Sequence, residues 1–190
     1  MPITAQHVRE TLDAYLTHHP DEKDALSVVS EVLDEAGDSI ASRKEYRGHV
    51  TAGAALLRPD GRVLTIEHRA LRKWLLPGGH VEASDTTLLD AALRELEEET
   101  GIRSDQVEPV SLLPFHIDAH PIPASPDKGE DAHQHFDFRY LFRTTLDEVE
   151  TVDLQEEEVT AFSWQFADML TAEPLRSRVM AAARGGTLPT

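Results

Sequence analysis

Apolar residues in the first 45 or so positions recur at helical spacing. Val8, Leu12, Tyr15 and Leu16 form one stripe, and Leu26, Val29, Val32 and Leu33 form a second, which predicts a pair of amphipathic helices. Pro20-Asp21 breaks the first and can cap the second, which Gly37 ends. Neither stripe can be buried by its own helix, so the pair packs on the rest of the chain or on another subunit. From His49 the period shortens. Residues 50–57, the turn Pro59-Asp60-Gly61 and residues 63–67 predict a hairpin. Residues 86–100 make the clearest helix, and residues 110–120 and 133–143 read as strands on either side of a Pro-rich loop, 121–132. A short strand at 159–165 and a helix at 174–184 close the pattern. Mixed strands with few helices predict an α+β fold, a sheet flanked by helices. The expected division is a helical extension at 1–45 and a main domain at 46–190.

Composition narrows the partners. Asp and Glu number 35 against 18 Lys and Arg, a formal net charge of -17, so nucleic-acid polymers are not expected. Such a field also repels a free nucleotide unless bound cations invert the local potential. The chain has no cysteine, which excludes disulfides and thiolate chemistry and fits a reducing, cytoplasmic setting. The N-terminus lacks the pattern of a secretory signal, and no apolar run approaches the ~18 residues of a membrane span.

Within the predicted helix at 86–100, Glu95, Glu98 and Glu99 fall in one arc of roughly 100°, with Leu89, Leu93 and Leu96 on a neighbouring stripe. Three carboxylates so placed repel one another, and they sit towards the helix C-terminus, where the macrodipole disfavours negative charge. A bound cation relieves both penalties. With oxygen ligands and no cysteine, Mg²⁺ or Mn²⁺ is the expected ion. An exposed acidic face with Arg94 as an ordinary ion-pair partner is the competing account. The turn Pro77-Gly78-Gly79-His80 upstream shifts the balance towards a metal site.

These residues resemble the Nudix box, in which a glycine, five residues and an acidic residue precede an Arg-Glu-hydrophobic-any-Glu-Glu-any-Gly-hydrophobic run. The run from Arg94 to Ile102 matches at every position. The first half departs: counting from Gly79, the acidic position holds Asp85, and eight residues rather than seven separate it from Arg94. The irregularity puts any ligand role for Asp85 in doubt and leaves the glutamates in phase.

The resemblance covers residues 47–184 and implies a Nudix-type α/β/α sandwich with a mixed β-sheet. It implies Glu95, Glu98 and Glu99 as cation ligands, joined by the Gly79 backbone carbonyl, with Arg94 orienting the cluster. The implied reaction is attack of water on a diphosphate linkage in a nucleotide-like substrate, with Glu98 and Glu99 taking part. A general base outside the box is expected among Glu156, Glu157 and Glu158, with Glu158 preferred, or at Glu130.

Ten histidines is a high count, and four alternate in two strands: His116, His120, His133 and His135. Period two puts His116, Asp118 and His120 on one face, and His133, His135, Asp137 and Arg139 on one face of the other. Phe136, Phe138, Tyr140 and Phe142 then face the packing. Three accounts of the polar face compete: hydrogen-bonded histidines, substrate contacts through His135 and Arg139, and a second metal site. His80, directly after the glycines, is a further substrate contact, and Trp74 is expected in the core.

Among subfamily patterns, a tyrosine beyond the box marks dinucleoside polyphosphates and a proline marks ADP-ribose. Asp118, Ala119 and His120 hold that region, with Pro121 just past it, so neither pattern is met. A nucleoside triphosphate is the default expectation. A catalytically silent nucleotide sensor is the alternative, opposed by the intact glutamates. An isopentenyl diphosphate isomerase-like enzyme is opposed by the lack of cysteine. The leading helices are expected first as a buttress, with a homodimer contact and a lid over the substrate as the alternatives.

Overall fold

The computed structural model of the chain describes residues 2–69, 71–126, 129–144 and 159–185. Strand β1 (His49–Leu57) lies at the centre of one mixed sheet. It runs parallel to β7 (His133–Thr144), which sets His49 beside His135, Thr51 beside Asp137 and Gly53 beside Arg139. On its other side β1 pairs antiparallel with β4 (Gly78–His80), then at Leu57 with Val63 of β2 (Arg62–His68). Strand β2 carries β3 (Lys73–Leu75) and β8 (Val159–Phe166), and β7 carries β5 (Val107–Pro109) and β6 (His116–Ile122).

Both faces of β1 are covered, so every residue of it is buried. Val50, Ala52, Ala54 and Leu56 enter a core shared with α1 (Ala5–His18), α2 (Ser27–Ala36) and α3 (Leu88–Thr100). Ala55 and Leu57, on the opposite face, enter a second core with Leu175 and Val179 of α4 (Leu175–Ala183). The same alternation assigns His49, Thr51 and Gly53 to the face of Ala55, at the other end of the strand. That polar end positions the site.

The leading helices bury Val8, Leu12 and Tyr15 of α1 and Val29, Val32 and Leu33 of α2 in the main core. Packing and a hydrogen bond join them to the rest of the chain: His7 accepts the Leu88 backbone N–H at 3.2 Å, satisfying an orphan donor at the start of α3, while the Ala5 N–H donates to Asp38 within the leading segment itself. Across the molecule, Arg178 of α4 donates to Glu22, to the Tyr15 hydroxyl and to the Phe115 carbonyl, and meets His116 Nδ1 at 3.1 Å.

Several expectations are corrected. Pro20 starts a 3-10 turn, Pro20–Glu22, and α2 begins only at Ser27. The predicted hairpin closes only at its turn end, because β1 pairs β4 while β2 pairs β8. The stretch 110–120 is strand only from His116, which pairs Arg139, and β6 runs on through Pro121 to Ile122. Trp74 sits on β3 with 43% of its surface exposed, outside the core. In α3 the buried stripe is Leu88, Ala91, Ala92 and Leu96, continued by Glu99, with Leu89 and Leu93 only partly covered. By contrast Phe136, Phe138, Tyr140 and Phe142 are all buried as expected.

Candidate metal and active site

Helix α3 starts at the Thr87 cap, whose hydroxyl accepts the Asp90 N–H, and ends at Gly101. Near its C-terminal end the Gly78-Gly79 strand passes close over two glutamates. The Gly78 N–H donates to Glu99 Oε2 at 2.9 Å, and Glu99 is 2% exposed. A methyl group on Gly79 would sit 2.7 Å from both Glu95 carboxylate oxygens. On Gly78 it would sit 2.7 Å from the Ala52 carbonyl oxygen. At Gly78 only glycine fits against the fixed backbone, and at Gly79 any side chain would displace the Glu95 carboxylate.

Arg94 gathers the rest. Its guanidinium donates to Glu95 Oε1 at 3.0 Å, to Glu98 Oε2 at 2.7 Å and to the His80 carbonyl at 2.7 Å. Asp85 holds Arg94 through both carboxylate oxygens, at 3.0 and 3.1 Å, and also accepts the Glu82 N–H. Although burial opposes charge on Arg94, its bonds to Asp85 and the nearby Glu95 and Glu98 outweigh this and raise its pKa. The residue in the irregular half of the motif therefore positions Arg94. The Glu98 side chain is 46% exposed against 12% for Glu95, and Glu98 borders an open depression with Asp90, Leu93, Glu97 and Ser104.

On the other face of β4 a group of imidazoles gathers. His80 pairs with Thr51 and His120 with His135, while His49 lies beside His135. Ring centroids of His49 lie 4.9 Å from His133, 4.8 Å from His135 and 5.2 Å from His80. Burial lowers the pKa of His80 to about 4 and that of His135 to about 3, and lowers that of His49 as well. His120 moves the other way, because its bond to Asp118 favours the charged ring. Arg139 is engaged by Asp137, which also accepts from Thr51, and lies 3.9 Å from Asp118. His116 stands apart from this group, against Arg178.

A family model described as the NUDIX domain matches residues 47–183. The chain belongs to the Nudix family. A probable DHNTP pyrophosphohydrolase of Lactococcus lactis is 34% identical over 122 residues, covering 60% of this chain and 69% of that protein. The phosphatase NudJ of Escherichia coli K12 is 32% identical over 139 residues, covering 72% and 80%. Among solved structures, a C. elegans Ap4A hydrolase superposes with a TM-score of 0.53 at 20% identity, covering 72% of this chain and 98% of that one. This last likeness shows the Nudix fold. As a Nudix hydrolase the chain is an enzyme of diphosphate-bond cleavage that works with a divalent cation.

The structure thus brings Glu95, Glu98, Glu99, Arg94 and Gly79 into one neighbourhood, and His80, His135 and Arg139 into another across β4. Glu156, Glu157 and Glu158 lie outside the described residues. Glu130, the other base expected from sequence, pairs with Arg43 at 2.7 Å. Sequence reasoning passed over His49, whose place beside His135 follows from the parallel β1–β7 register. Its signal was present: His49 opens the strand that precedes the glycine turn. Among the described residues, the groups whose metal-binding atoms all lie within 4.8 Å are His49/His133/His135 and His120/His135/Asp137. The glutamates, drawn instead onto Arg94 and Gly78, form no such group here.

Proposed function

We propose that this Nudix hydrolase cleaves a nucleoside triphosphate-like substrate between phosphates by water attack, using Mg²⁺ or Mn²⁺ held by Glu95, Glu98, Glu99 and the Gly79 carbonyl. The observation that carries the reading is the oxygen-only donor set of α3 under a glycine cradle that a single methyl group would fill. Hard oxygen donors match those ions. When bound, the cation neutralises the diphosphate and strengthens its phosphorus as an electrophile. Arg94 keeps Glu95 and Glu98 turned toward one another, and Asp85 keeps Arg94 in place. Glu99 fixes the turn by accepting the Gly78 N–H. Glu98, the more open carboxylate, is proposed to take the proton of the attacking water, with Glu158 the other base considered. His80, neutral at pH 7, would approach the phosphates as a hydrogen-bonding group.

The names of the relatives at 34% and 32% identity, a pyrophosphohydrolase and a phosphatase, support this substrate class. Residues 1–45 are proposed as a supporting extension of a catalytic unit at 46–190, and the absence of cysteine supports a reducing, cytoplasmic setting. The test is a hydrolysis screen with Mg²⁺ and with Mn²⁺ over nucleoside triphosphates, nucleotide sugars and dinucleoside polyphosphates. Turnover of a triphosphate that Glu98→Gln removes is the expected result. Tight binding without turnover by the unaltered chain, or full activity in Glu98→Gln, would sink the proposal.

A further inference from the structure

His49 is 1% exposed, and its Nδ1 lies 3.1 Å from the Glu45 carbonyl oxygen. A carbonyl only accepts, so Nδ1 carries the proton and Nε2 presents a bare lone pair. That Nε2 is buried and has no hydrogen-bond partner. A buried acceptor left unsatisfied has given up its water without compensation. His133, 7% exposed, repeats the arrangement: its Nδ1 lies 2.7 Å from the Asp131 carbonyl, which leaves its Nε2 bare as well. His133 Nε2 points at His135 Nε2 across 3.2 Å. A proton on His135 could serve His133, yet it would leave His49 unsatisfied.

A Lewis acid serves all three at once. One ring nitrogen from each of His49, His133 and His135 lies within 4.8 Å of the others. Metal–nitrogen bonds of ~2.0–2.1 Å in a tetrahedral site place nitrogens ~3.3 Å apart, close to the observed His133–His135 separation. Histidine ligands usually donate their second N–H to a carbonyl or carboxylate, as His49 and His133 do. The other candidate group, His120/His135/Asp137, is less buried, and its Asp137 is already taken up by Arg139 and Thr51. His80 stands at the edge of the group, 5.2 Å from His49 and from His135 between ring centroids, and leaves the fourth position to a water or another small ligand.

We propose that His49, His133 and His135 form a second metal site, for a borderline transition ion such as Zn²⁺, separate from the glutamates of α3. Imidazole nitrogen selects such ions, whereas Mg²⁺ and Mn²⁺ favour oxygen. The two sites lie on opposite faces of β4, since Gly79 abuts Glu95 while its neighbour His80 faces the imidazoles. The ion would tie the start of β1 to the start of β7 and so to the end of the leading helical segment. The net charge of -17 draws divalent cations of either kind to the surface, so preference must come from the ligands.

The experiment takes the full chain, strips it with a chelator and titrates Co²⁺ and Zn²⁺ in excess Mg²⁺, which fills the oxygen site. Expected are visible Co²⁺ ligand-field bands of a nitrogen-rich site, displaced by Zn²⁺, and a higher melting temperature with Zn²⁺. His133→Ala and His135→Gln should each weaken Zn²⁺ binding by on the order of 100-fold, while Glu98→Gln leaves it intact. Should a variant fail to fold, imidazole ¹⁵N spectra of the unaltered chain decide: Zn²⁺ should move three Nε2 resonances. Absent bands, unmoved Nε2 resonances, undiminished binding in a folded histidine variant, or loss in Glu98→Gln would each overturn the site. None of these readouts depends on turnover, so they stand or fall apart from the hydrolase reading.

Discussion

The carboxylate flank of α3 and the imidazole face of β1 and β7 sit on opposite sides of one short strand, yet they are built by different means. The first is local: Arg94, Glu95, Glu98 and Glu99 come from two turns of one helix, and one guanidinium arranges two of its carboxylates. The second is topological. His49 and His135 meet only because β1 and β7 pair in parallel, across more than eighty residues of chain. Charge handling differs accordingly. The helix flank sets its carboxylates against the Arg94 guanidinium, whereas burial holds His80 and His135 neutral. Local spacing therefore produces a motif that sequence can reveal, and sheet register produces one that it conceals.

The comparison breaks most sharply at Glu98. Glu98→Gln, half exposed and isosteric, should lower turnover by about 10³-fold with little change in melting temperature. An unchanged rate would reduce the flank to a solvated acidic surface. Asp85→Asn comes next. It withdraws the buried partner of Arg94 and should cost about 3 kcal/mol of stability. Disordered Glu95 and Glu98 should also reduce activity roughly 10–100-fold, as denaturant melts and steady-state rates can measure. The two glycines should then separate. Gly78→Ala drives a methyl group into the Ala52 backbone and should cost about 1–3 kcal/mol. Gly79→Ala meets only the movable end of Glu95, so its loss should appear in activity before stability.

A last effect, spread over several pH units and so small at any one step of pH, lies at His116, apart from the imidazole group. Burial, helped by Arg139 and Arg178 against the opposing Asp118 and Asp137, lowers the His116 pKa to about 3. Between that value and the ordinary value near 6.5, the unfolded chain binds a proton that the folded one refuses. Stability should therefore fall as pH falls through this window, by up to about 1.4 kcal/mol per pH unit. His116→Gln should flatten that slope in denaturant melts run at several pH values. An unaltered slope would mean that other groups govern the acid limb.

Much of the fold was readable because its elements announce themselves by period. The stripes of α1 and α2, the alternation of β7 and the helix ending at Gly101 needed no tertiary information. Register could not be read that way. The turn at Pro59-Asp60-Gly61 suggested a fully zipped hairpin, but β1 meets β2 at Leu57 and Val63, beside the turn, and then takes up β4. Trp74 looked like core by composition and lies on the short, exposed β3. Helical phase alone also misjudged α3: a small-residue stripe of Ala91 and Ala92 fits the close approach of β1, which leaves Leu89 and Leu93 at the margin. Asp85 seemed a defect in spacing, and its value as an anchor for Arg94 required the loop to be seen folded back on the helix.

The contact from His7 to the Leu88 backbone has a consequence for how this chain can be divided. A fragment cut to the family-matched stretch would begin α3 with an uncapped N–H and lay bare the apolar ground on which Val8, Leu12 and Val29 rest. Removed from this chain, the leading helices would take with them the ground against which α3 is packed.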